Sequence, residues 1–397
     1  GIYVSCQADA LNRRKSLPSG HGRRAKVAGY AKIYVNLFWR LRILNKLVLI
    51  DGNSLSFRAF YALPLLSNHA GIHTNAVYGF AMLLEKIIKE EKPNHFLVAF
   101  DAGKTTFRHS KYSEYKGGRQ KTPPELSEQF PYIRQLLDAY HIKRYELDNY
   151  EADDIIGTLS RQADEEDFET IIITGDRDLT QLATDNVTIY YTKKGVTDVD
   201  HYTPKFIAEK YNGLVPKQII DMKGLMGDTS DNIPGVAGVG EKTAIKLLNQ
   251  FESVEGVYEH IEEVTAKKLK EKLINSKDDA LMSKDLATIN VHSPIEVSLE
   301  DTKLTLQDDT TEKIELFKKL EFKQLLADID TSSTNEEVID KTFEIEQDFQ
   351  NVDLNDLNEA VIHFELEGTN YLKDTILKFG FYTNHQHVVI NAEDVKD

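Results

Sequence analysis

The sequence has little cysteine and no long apolar run, and both shortages narrow the class of protein. It has 397 residues and a single cysteine, Cys6. It can therefore form neither a disulfide framework nor a zinc site built from cysteines, and one thiol fits a reducing compartment. No apolar run reaches the ~18 residues that a membrane-spanning helix needs. The length suggests a globular chain of about two or three domains.

The sequence is also short of positive charge. Its 48 Lys and Arg residues are outnumbered by 64 Asp and Glu residues, and the formal net charge is −16. Taken alone, this balance argues against a nucleic-acid partner. The average conceals a gradient, since residues 1–46 carry ten Lys or Arg and one Asp, whereas residues 328–397 carry four Lys and seventeen acids. Where carboxylates hold metal ions, formal charge misstates the local field.

Residues 1–43 differ from the rest of the sequence. They are basic, acid-poor and do not begin with Met. One interpretation is a transit peptide, which has this composition. The alternative, which we favour, is a non-native or upstream-translated extension, with Leu44 at the position of a non-ATG start.

From residue 47 onward, short apolar runs alternate with segments of helical periodicity. The runs are LVLID (47–51), FLVAFD (96–101), TIIITGD (170–176) and VTIYY (187–191). This alternation predicts an α/β fold with a twisted, mainly parallel sheet and helices on both faces. Residues 200–330 are mainly helical in pattern, 331–345 are polar enough for a linker, and 346–397 resume strand-like runs.

Carboxylates follow three of these runs. Asp51, Asp101 and Asp176 each stand where a strand ends, and the carboxyl ends of parallel strands meet at one edge of a sheet. Like charges gathered there stay ionised only beside cations. More acids come in spaced groups, and the candidate metal ligands are Asp51, Asp101, Glu151, Asp153, Asp154, Asp176, Asp178, Asp228 and Asp231. Nine carboxylates exceed the needs of one ion and suit a two-metal site, although any single motif could be a solvated turn or a helix cap.

Basic residues form a second constellation. Residues 105–126 carry Arg108, Lys111, Lys116, Arg119 and Lys121, with Tyr112 and Tyr115 among them. Cations and aromatics in this arrangement suit a phosphate backbone and a stacked base, although a mobile surface loop would look similar. Arg58 is a further candidate phosphate clamp, and the alternative is a surface helix residue.

The glycines of GVAGVGEKTA form a third feature. No strand precedes them and no acid follows at dinucleotide spacing, so they do not predict a dinucleotide site. A glycine hairpin between two helices instead lets backbone N–H groups approach phosphates.

Taken in order, LVLIDGNSLSFRAFYALP, VAFDAGKTTFRHSKYSEYKGGR, YEADDIIGTL, ITGDRDLTQL and KGLMGDTSDNIPGVAGVGEKTAIKLL resemble the 5′-nuclease domains of bacterial DNA polymerase I, in the flap endonuclease family. The resemblance covers about residues 44–330. It implies a PIN-like core at 44–215 with a helical arch at about 102–128. It also implies a helical subdomain at 216–330, whose helix-hairpin-helix grips duplex backbone and holds K⁺.

The resemblance also implies roles for individual residues. The first of two divalent cations, Mg²⁺ or Mn²⁺, would be surrounded by Asp51, Asp101, Glu151, Asp153 and Asp154, and the second would be served by Asp176, Asp178, Asp228 and Asp231. Arg58, Lys116 and Arg119 would bind and activate the scissile phosphate. Tyr115, Arg108, Lys111 and Lys121 would contact DNA from the arch, and Gly238, Gly240, Lys242 and Thr243 from the hairpin.

The expected function is a structure-selective 5′–3′ exonuclease and flap endonuclease that acts on DNA flaps and on RNA–DNA hybrid primers. We expect a cytoplasmic, nucleoid-associated monomer, normally fused to a polymerase domain. Residues 346–397 resemble the truncated start of a 3′–5′ exonuclease-like domain, in which Glu365 and Glu367 stand where a proofreading member has an Asp-x-Glu pair, so we expect no proofreading. The alternatives are a non-catalytic DNA junction-binding module and an RNA-cutting PIN-domain toxin, and the hairpin argues against the toxin.

Overall fold

The computed structural model describes residues 45–103, 105–193, 198–304 and 311–329 in full. It also describes the backbone of residues 330–334, 4–7, 345–346, 359–366, 376–382 and 387–391. The chain divides into two compact units, one formed by Leu44–Ser333 and the other by Gly1–Ile43 with Thr334–Asp397. Across these described residues, no helix combines the length and the hydropathy that crossing a bilayer requires.

The strands in chain order are β1 (Val4–Gln7), β2 (Lys46–Asp51), β3 (His95–Phe100), β4 (Lys143–Glu146), β5 (Glu169–Thr174), β6 (Val187–Thr192), β7 (Val199–Tyr202), β8 (Ile345–Glu346), β9 (Glu359–Leu366), β10 (Ile376–Tyr382) and β11 (His387–Asn391).

The helices are α1 (Gly52–Ala62), α2 (Asn75–Glu91), α3 (Phe107–Lys111), α4 (Pro124–Ser127), α5 (Phe130–Ala139), α6 (Ala152–Glu165), α7 (Pro204–Lys210), α8 (Gln218–Met226), α9 (Glu241–Phe251), α10 (Val254–Glu259), α11 (Lys267–Asn275), α12 (Lys277–Ala287), α13 (Thr311–Leu320) and α14 (Lys323–Thr334). Short 3₁₀ turns cover Asp178–Leu182, Ile261–Glu263 and Glu300–Thr302.

The larger unit is built on a six-stranded sheet with the order β4-β3-β2-β5-β6-β7. Neighbouring strands are parallel except β6 and β7, which are antiparallel. The predicted mainly parallel sheet is therefore confirmed. The strands β2, β3 and β5 are central and almost wholly buried, which explains why their sequences are continuous apolar runs rather than alternating ones.

Helices cover both faces of this sheet. On one face Leu49 and Ile172 lie in a core with Ile155 of α6, and that core continues into the helical region through Leu225 and Leu248. On the other face Val48, Ile50 and Ile173 pack with residues of α1, α2 and α5. Each large side chain buried in this way contributes about 1.5–3 kcal/mol.

Within the predicted helical arch at about 102–128, the described residues include the short helices α3 and α4, joined by turns. The structure corrects the predicted start of the linker at residue 331, because α14 continues to Thr334. Leu316, Phe317 and Leu320 of α13 pack in the core on the second face of the sheet, so this part of the predicted helical subdomain belongs with the sheet.

The smaller unit contains a five-stranded sheet with the order β1-β9-β10-β11-β8. Strand β9 pairs antiparallel with both β1 and β10, and β10 pairs antiparallel with β11. The strand-like runs predicted after residue 346 are thus present as strands. Glu367 lies outside the described residues.

Candidate active site

Backbone N–H groups hold the three acids that follow the sheet strands. Asp51 ends β2 and caps α1, where its Oδ1 accepts from the Ser54 N–H at 3.0 Å. Asp101 follows β3 and accepts from the Ala152 N–H, in the first turn of α6, at 2.8 Å. Asp176 accepts from the Asp178 N–H at 2.9 Å. Helix N-termini favour negative charge. The turns and helix starts that follow these strands therefore hold the carboxylates in place.

The acids at the sheet edge act on one another electrostatically. Burial raises the pKa of Asp51 to about 7, and the charges of Asp101 and Asp176 add to that effect. Burial raises the pKa of Asp153 well above its usual range, and Asp51 and Asp176 raise it further. Burial also raises the pKa of Asp101, in spite of its hydrogen bond from Ala152. These carboxylates, which come from distant parts of the chain, thus lie near enough to repel one another, and their uncompensated negative charge is costly.

A second group of acids is bridged by a lysine. The Nζ of Lys223, on α8, lies 2.7 Å from Asp178 Oδ1 and also pairs with Asp228. Burial raises the pKa of Asp178 to about 7, Asp176 adds to this, and Lys223 partly offsets it. Burial lowers the pKa of Lys223, but the two carboxylates outweigh burial and the net shift is upward. Asp228 also accepts from the Ser230 N–H at 2.8 Å, and its pKa is lowered because Lys223 and Ser230 outweigh burial.

The basic segment lies directly on the acids. Lys116 Nζ donates to Glu151 Oε2 at 2.7 Å, and Arg119 Nη2 donates to Asp231 Oδ1 at 2.6 Å. The Lys116 N–H also donates to the Asp231 backbone carbonyl at 2.9 Å. The two predicted phosphate-activating cations of this segment are thus at the acidic edge.

Two residues of this segment do not have the surface positions expected of DNA contacts. Tyr115 is 3% exposed, and its hydroxyl lies 3.4 Å from Glu151 Oε2, so its ring is not available for a base to stack on. Arg108 is 2% exposed. It donates to both oxygens of Asp154 at 2.8 Å and to the carbonyls of Leu286 and Thr288. The interpretation of both as DNA contacts stays a prediction, and their burial does not favour it, because neither side chain lies on the solvent side of the segment.

Asp154, predicted as a metal ligand, is also buried and engaged by other groups of the protein. Its side chain is fully buried, and besides Arg108 it accepts from the backbone N–H groups of Glu151 and Asn290. With both oxygens engaged in this way, Asp154 is positioned to fix the start of α6 and with it Glu151 and Asp153. The predicted direct contact of Asp154 with a metal is not supported by these contacts.

The remaining predicted cations lie nearer the surface. Arg58 Nη1 donates to the Lys193 carbonyl at 3.0 Å, and its guanidinium passes close to Gly175 in the turn after β5. Lys111 forms an ion pair with Asp285 at 2.6 Å, and Lys121 is exposed. Arg58 therefore borders the acidic edge, whereas Lys111 and Lys121 lie on the outer surface of the segment.

The predicted hairpin joins α8 to α9. Gly238 has a φ of +76°, and Gly240 caps α9 without a side-chain hydrogen bond. Lys242 and Thr243 follow in the first turn of α9, where Lys242 is exposed. The ammonium of Lys272, on α11, approaches Gly238 so closely that a Cβ on Gly238 would lie 2.5 Å from its Nζ. This turn therefore combines accessible backbone with two lysines.

The donor set fits hard divalent cations by its chemistry. In the part of the chain that the structure describes, no three His, Cys, Asp or Glu side chains are gathered tightly enough to ligate one ion as they stand. Nevertheless, Asp51, Asp101 and Asp153 are carboxylates whose mutual repulsion a cation would relieve. Asp178 Oδ1 is buried, and its contact is the ion pair with Lys223 Nζ at 2.7 Å rather than a well-aligned hydrogen bond. Oxygen donors in this number are what Mg²⁺ and Mn²⁺ prefer.

Sequence reasoning missed Lys223 and the small polar residues that hold the acids. Lys223 stands five residues before Asp228 in KGLMGD, but one lysine among many helical lysines carries no signal of a buried bridge. Thr174 donates to Asp51 and accepts from the Asp176 N–H, a link that only the folded turn reveals.

Fold and sequence together define a nuclease of the 5′–3′ exonuclease type, and comparison with known families agrees. Residues 46–212 match the model described as "5'-3' exonuclease, N-terminal resolvase-like domain", and residues 214–310 match "5'-3' exonuclease, C-terminal SAM fold". Together they cover about two thirds of the chain. The chain belongs to the 5′–3′ exonuclease family, which confirms the resemblance.

The chain is also similar to part of the length of curated DNA polymerase I proteins. DNA polymerase I of Bacillus subtilis (strain 168) is 56% identical over 362 residues, which cover 89% of this chain and 41% of the relative. DNA polymerase I of Bacillus caldotenax is 60% identical over 294 residues, which cover 74% of this chain and 33% of the relative. The chain thus spans about two fifths or less of the length of these relatives.

Solved structures support the fold. The structure titled "Divalent metal ions (zinc) bound to T5 5'-exonuclease" has a TM-score of 0.52 and 24% identity, and the match covers 70% of this chain and 98% of that one. A bacteriophage T5 D15 flap endonuclease, in a pseudo-enzyme-product complex with DNA and metal ions, gives a TM-score of 0.51 at 22% identity, covering 72% and 99%.

Proposed function

We propose that this chain is a structure-selective 5′ nuclease that uses two divalent cations, Mg²⁺ or Mn²⁺, to cut flaps and 5′ ends of duplex DNA. The observation that carries the proposal is the gathering of Asp51, Asp101, Asp153 and Asp176 at one sheet edge. Burial and the charges of neighbouring acids raise the pKa values of Asp51, Asp101 and Asp153 there. Stability alone does not favour such a cluster, because it leaves charge uncompensated.

The acids divide into two sets. Asp51, Asp101, Asp153 and Glu151 would hold the first cation, and the second would be held by Asp176, Asp178, Asp228 and Asp231. When bound, such cations polarise a phosphoryl oxygen and lower the pKa of water, so hydrolysis needs no side-chain base. Asp154, bound to Arg108, orients the first set without belonging to it.

Three cations of the chain would handle the phosphate. Lys116 and Arg119 already reach the acidic edge, and Arg58 borders it at Gly175. A phosphate placed there would compete with Glu151 and Asp231 for Lys116 and Arg119. Charge that develops on the phosphate would then be stabilised by donors that are already in place.

The hairpin at Gly238 would hold duplex DNA away from the cut. Backbone N–H groups of the hairpin and of the first turn of α9, together with Lys242, would contact DNA phosphates. Such contacts do not depend on the base sequence. The K⁺ expected at this hairpin belongs to the same proposal.

A cleavage assay tests the proposed function. The purified chain, given Mg²⁺ and a duplex with a labelled 5′ flap, should release the flap. The double change Asp176→Ala with Asp178→Ala should slow cleavage by at least about a thousandfold, the scale of losing a preorganised electrostatic contact, while duplex binding persists. The exposed Asp185→Ala is the matched control.

The alternative, a non-catalytic junction-binding module, predicts binding without cleavage by the unchanged chain. We favour the nuclease because a module of that kind needs the basic segment and the hairpin but not a cluster of repelling acids. Cleavage of unbranched single strands as fast as of flaps would contradict the structure selectivity.

The broader setting is also a proposal. We propose that this chain is a monomeric, cytoplasmic region that removes RNA primers and repair flaps and is normally fused to a polymerase; the similarity to DNA polymerase I relatives supports the fusion. We assign residues 346–397 to a 3′–5′ exonuclease-like region without proofreading, on the strength of the sequence pattern alone.

A further inference from the structure

Lys223 is a buried cation placed between two separate acidic motifs. Its side chain is 15% exposed, and its Nζ contacts Asp178 Oδ1 at 2.7 Å while pairing with Asp228. Asp178 begins the 3₁₀ turn after β5, whereas Asp228 lies in the loop after α8. The ammonium therefore joins the sheet edge to the hairpin region, which no sequence motif indicated.

The first set of acids has a different arrangement. Within the described residues, the ion pairs on that side run from Lys116 and Arg108 to Glu151, and not to Asp51, Asp101 or Asp153. A cation bound beside these three carboxylates would relieve their repulsion. The carboxylates of Asp178 and Asp228 instead already share a positive charge that the chain itself supplies.

We propose that Lys223 is a tethered competitor for the second divalent cation, an inference that rests on the proposed function. While its ammonium bridges Asp178 and Asp228, it compensates their buried charge and occupies the oxygens that the ion would use. Lys223 would therefore weaken binding of a second ion relative to the first, and its ammonium would have to move away from Asp178 and Asp228 for that ion to bind. Lys223 is a positioning residue in this account, since it acts through the two carboxylates.

The physical basis is the high cost of uncompensated buried charge. Two buried carboxylates without any cation nearby would strongly destabilise the folded state, so a lysine at this place stabilises the fold while no metal ion is bound. The same lysine repels an incoming dication, because like charges within a few ångströms interact strongly at the effective dielectric of a protein. Folding of the site and weak binding of the second ion thus have one cause.

The test compares Mn²⁺ binding by the full chain and its variants, measured without DNA by calorimetry and by the electron paramagnetic resonance signal of free Mn²⁺. The unchanged chain should bind one ion tightly and another weakly. Lys223→Met should tighten the weak site by about tenfold or more and leave the tight site within about twofold. Lys223→Arg, which keeps the charge, should leave both sites near their original affinities.

Lys284 provides the matched control. It also bridges two acids, Asp221 at 2.7 Å and Glu255 at 2.6 Å, and it is 20% exposed. Because neither acid belongs to the proposed metal sets, Lys284→Met should not change either Mn²⁺ affinity. An equal change in both methionine variants would mean that lost packing, and not competition, had altered binding, and would overturn the proposal.

A second measurement does not depend on a variant that folds. In the unchanged chain carrying ¹³C-labelled lysine, the Cε signal of Lys223 should shift as Mg²⁺ fills the weak site, and the signal of Lys284 should not. An unmoved Lys223 signal, or a weak site that Lys223→Met leaves unchanged or weakens, overturns the inference. If the unchanged chain binds no Mn²⁺ and leaves flaps intact, the proposed function itself fails.

Discussion

Replacing Asp51 by Asn should stabilise the protein in the presence of a chelator while abolishing cleavage. Asp51 is 6% exposed, and its pKa is raised from an ordinary 3.8 to about 7, first by burial and then by Asp101 and Asp176. Asn can keep the helix cap, because its side-chain oxygen can still accept from the Ser54 N–H, and Asn and Asp cap helices about equally well. The substitution therefore removes charge with little change in local structure.

The magnitude follows from linkage between protonation and folding. One pKa unit corresponds to about 1.4 kcal/mol, so a shift of this size sets an upper limit of ~4 kcal/mol. Between about pH 4 and pH 7 the folded state keeps a proton on Asp51 that the unfolded chain has lost, so stability falls as pH rises through that window. Because Asp51 titrates together with neighbouring acids, only part of this limit belongs to Asp51 itself. We expect a gain in the free energy of unfolding of ~2 kcal/mol, half of the limit. For a unit of this size that is a rise in Tm of about 4 °C.

Thermal unfolding followed by fluorescence, with EDTA at pH 8 and at pH 5, tests this reasoning. At pH 8 the Tm of Asp51→Asn should exceed that of the unchanged chain, and this difference in Tm should be smaller at pH 5. The exposed Asp185→Asn should show no comparable gap. A lower Tm for Asp51→Asn at pH 8, or a gap of equal size at both pH values, would refute the account of buried, repelling acids.

Three further predictions concern other parts of the site. Arg108→Met leaves Asp154 buried without its partner and should lower the free energy of unfolding by about 3–5 kcal/mol in urea titrations; a loss below 1 kcal/mol would contradict the buried pair. Gly227 has a φ of +73°, and a Cβ there would lie 2.6 Å from two carbonyl oxygens, so Gly227→Ala should lower Tm by several degrees, which calorimetry can check. Lys272→Ala should make the affinity for duplex DNA less sensitive to salt. In binding titrations at several salt concentrations, the slope of log K against log salt concentration should become smaller in magnitude by about 0.9, the value for one phosphate contact, and Lys205→Ala should leave it unchanged.

The sequence was sufficient for the sheet and for the acids at its edge. Continuous runs such as LVLID are distinctive because a parallel strand buried on both faces tolerates few polar residues. The ends of those strands meet by topology, and the sequence alone therefore groups Asp51, Asp101 and Asp176. The order of the five motifs along the chain then indicated the family to which the chain belongs.

The sequence was not sufficient for the partners of charged side chains. Arg108 and Lys116 lie in one basic segment and look alike as letters, yet one is buried against Asp154 and the other reaches Glu151 beside the acids. Which cation turns inward depends on the position of the carbonyls of Leu286 and Thr288, about 180 residues away. Composition cannot encode that contact, and the same limit hid the bridge made by Lys223.

The anomalous diffraction of a crystal of this chain soaked in Mn²⁺ tests the central claim most directly. We predict two peaks at the carboxyl end of the sheet, the stronger among Asp51, Asp101 and Asp153 and the weaker beside Asp178 and Asp228. Peaks confined to surface acids elsewhere, or none at the sheet edge at a saturating concentration, would contradict the claim that these carboxylates form a metal-dependent nuclease site.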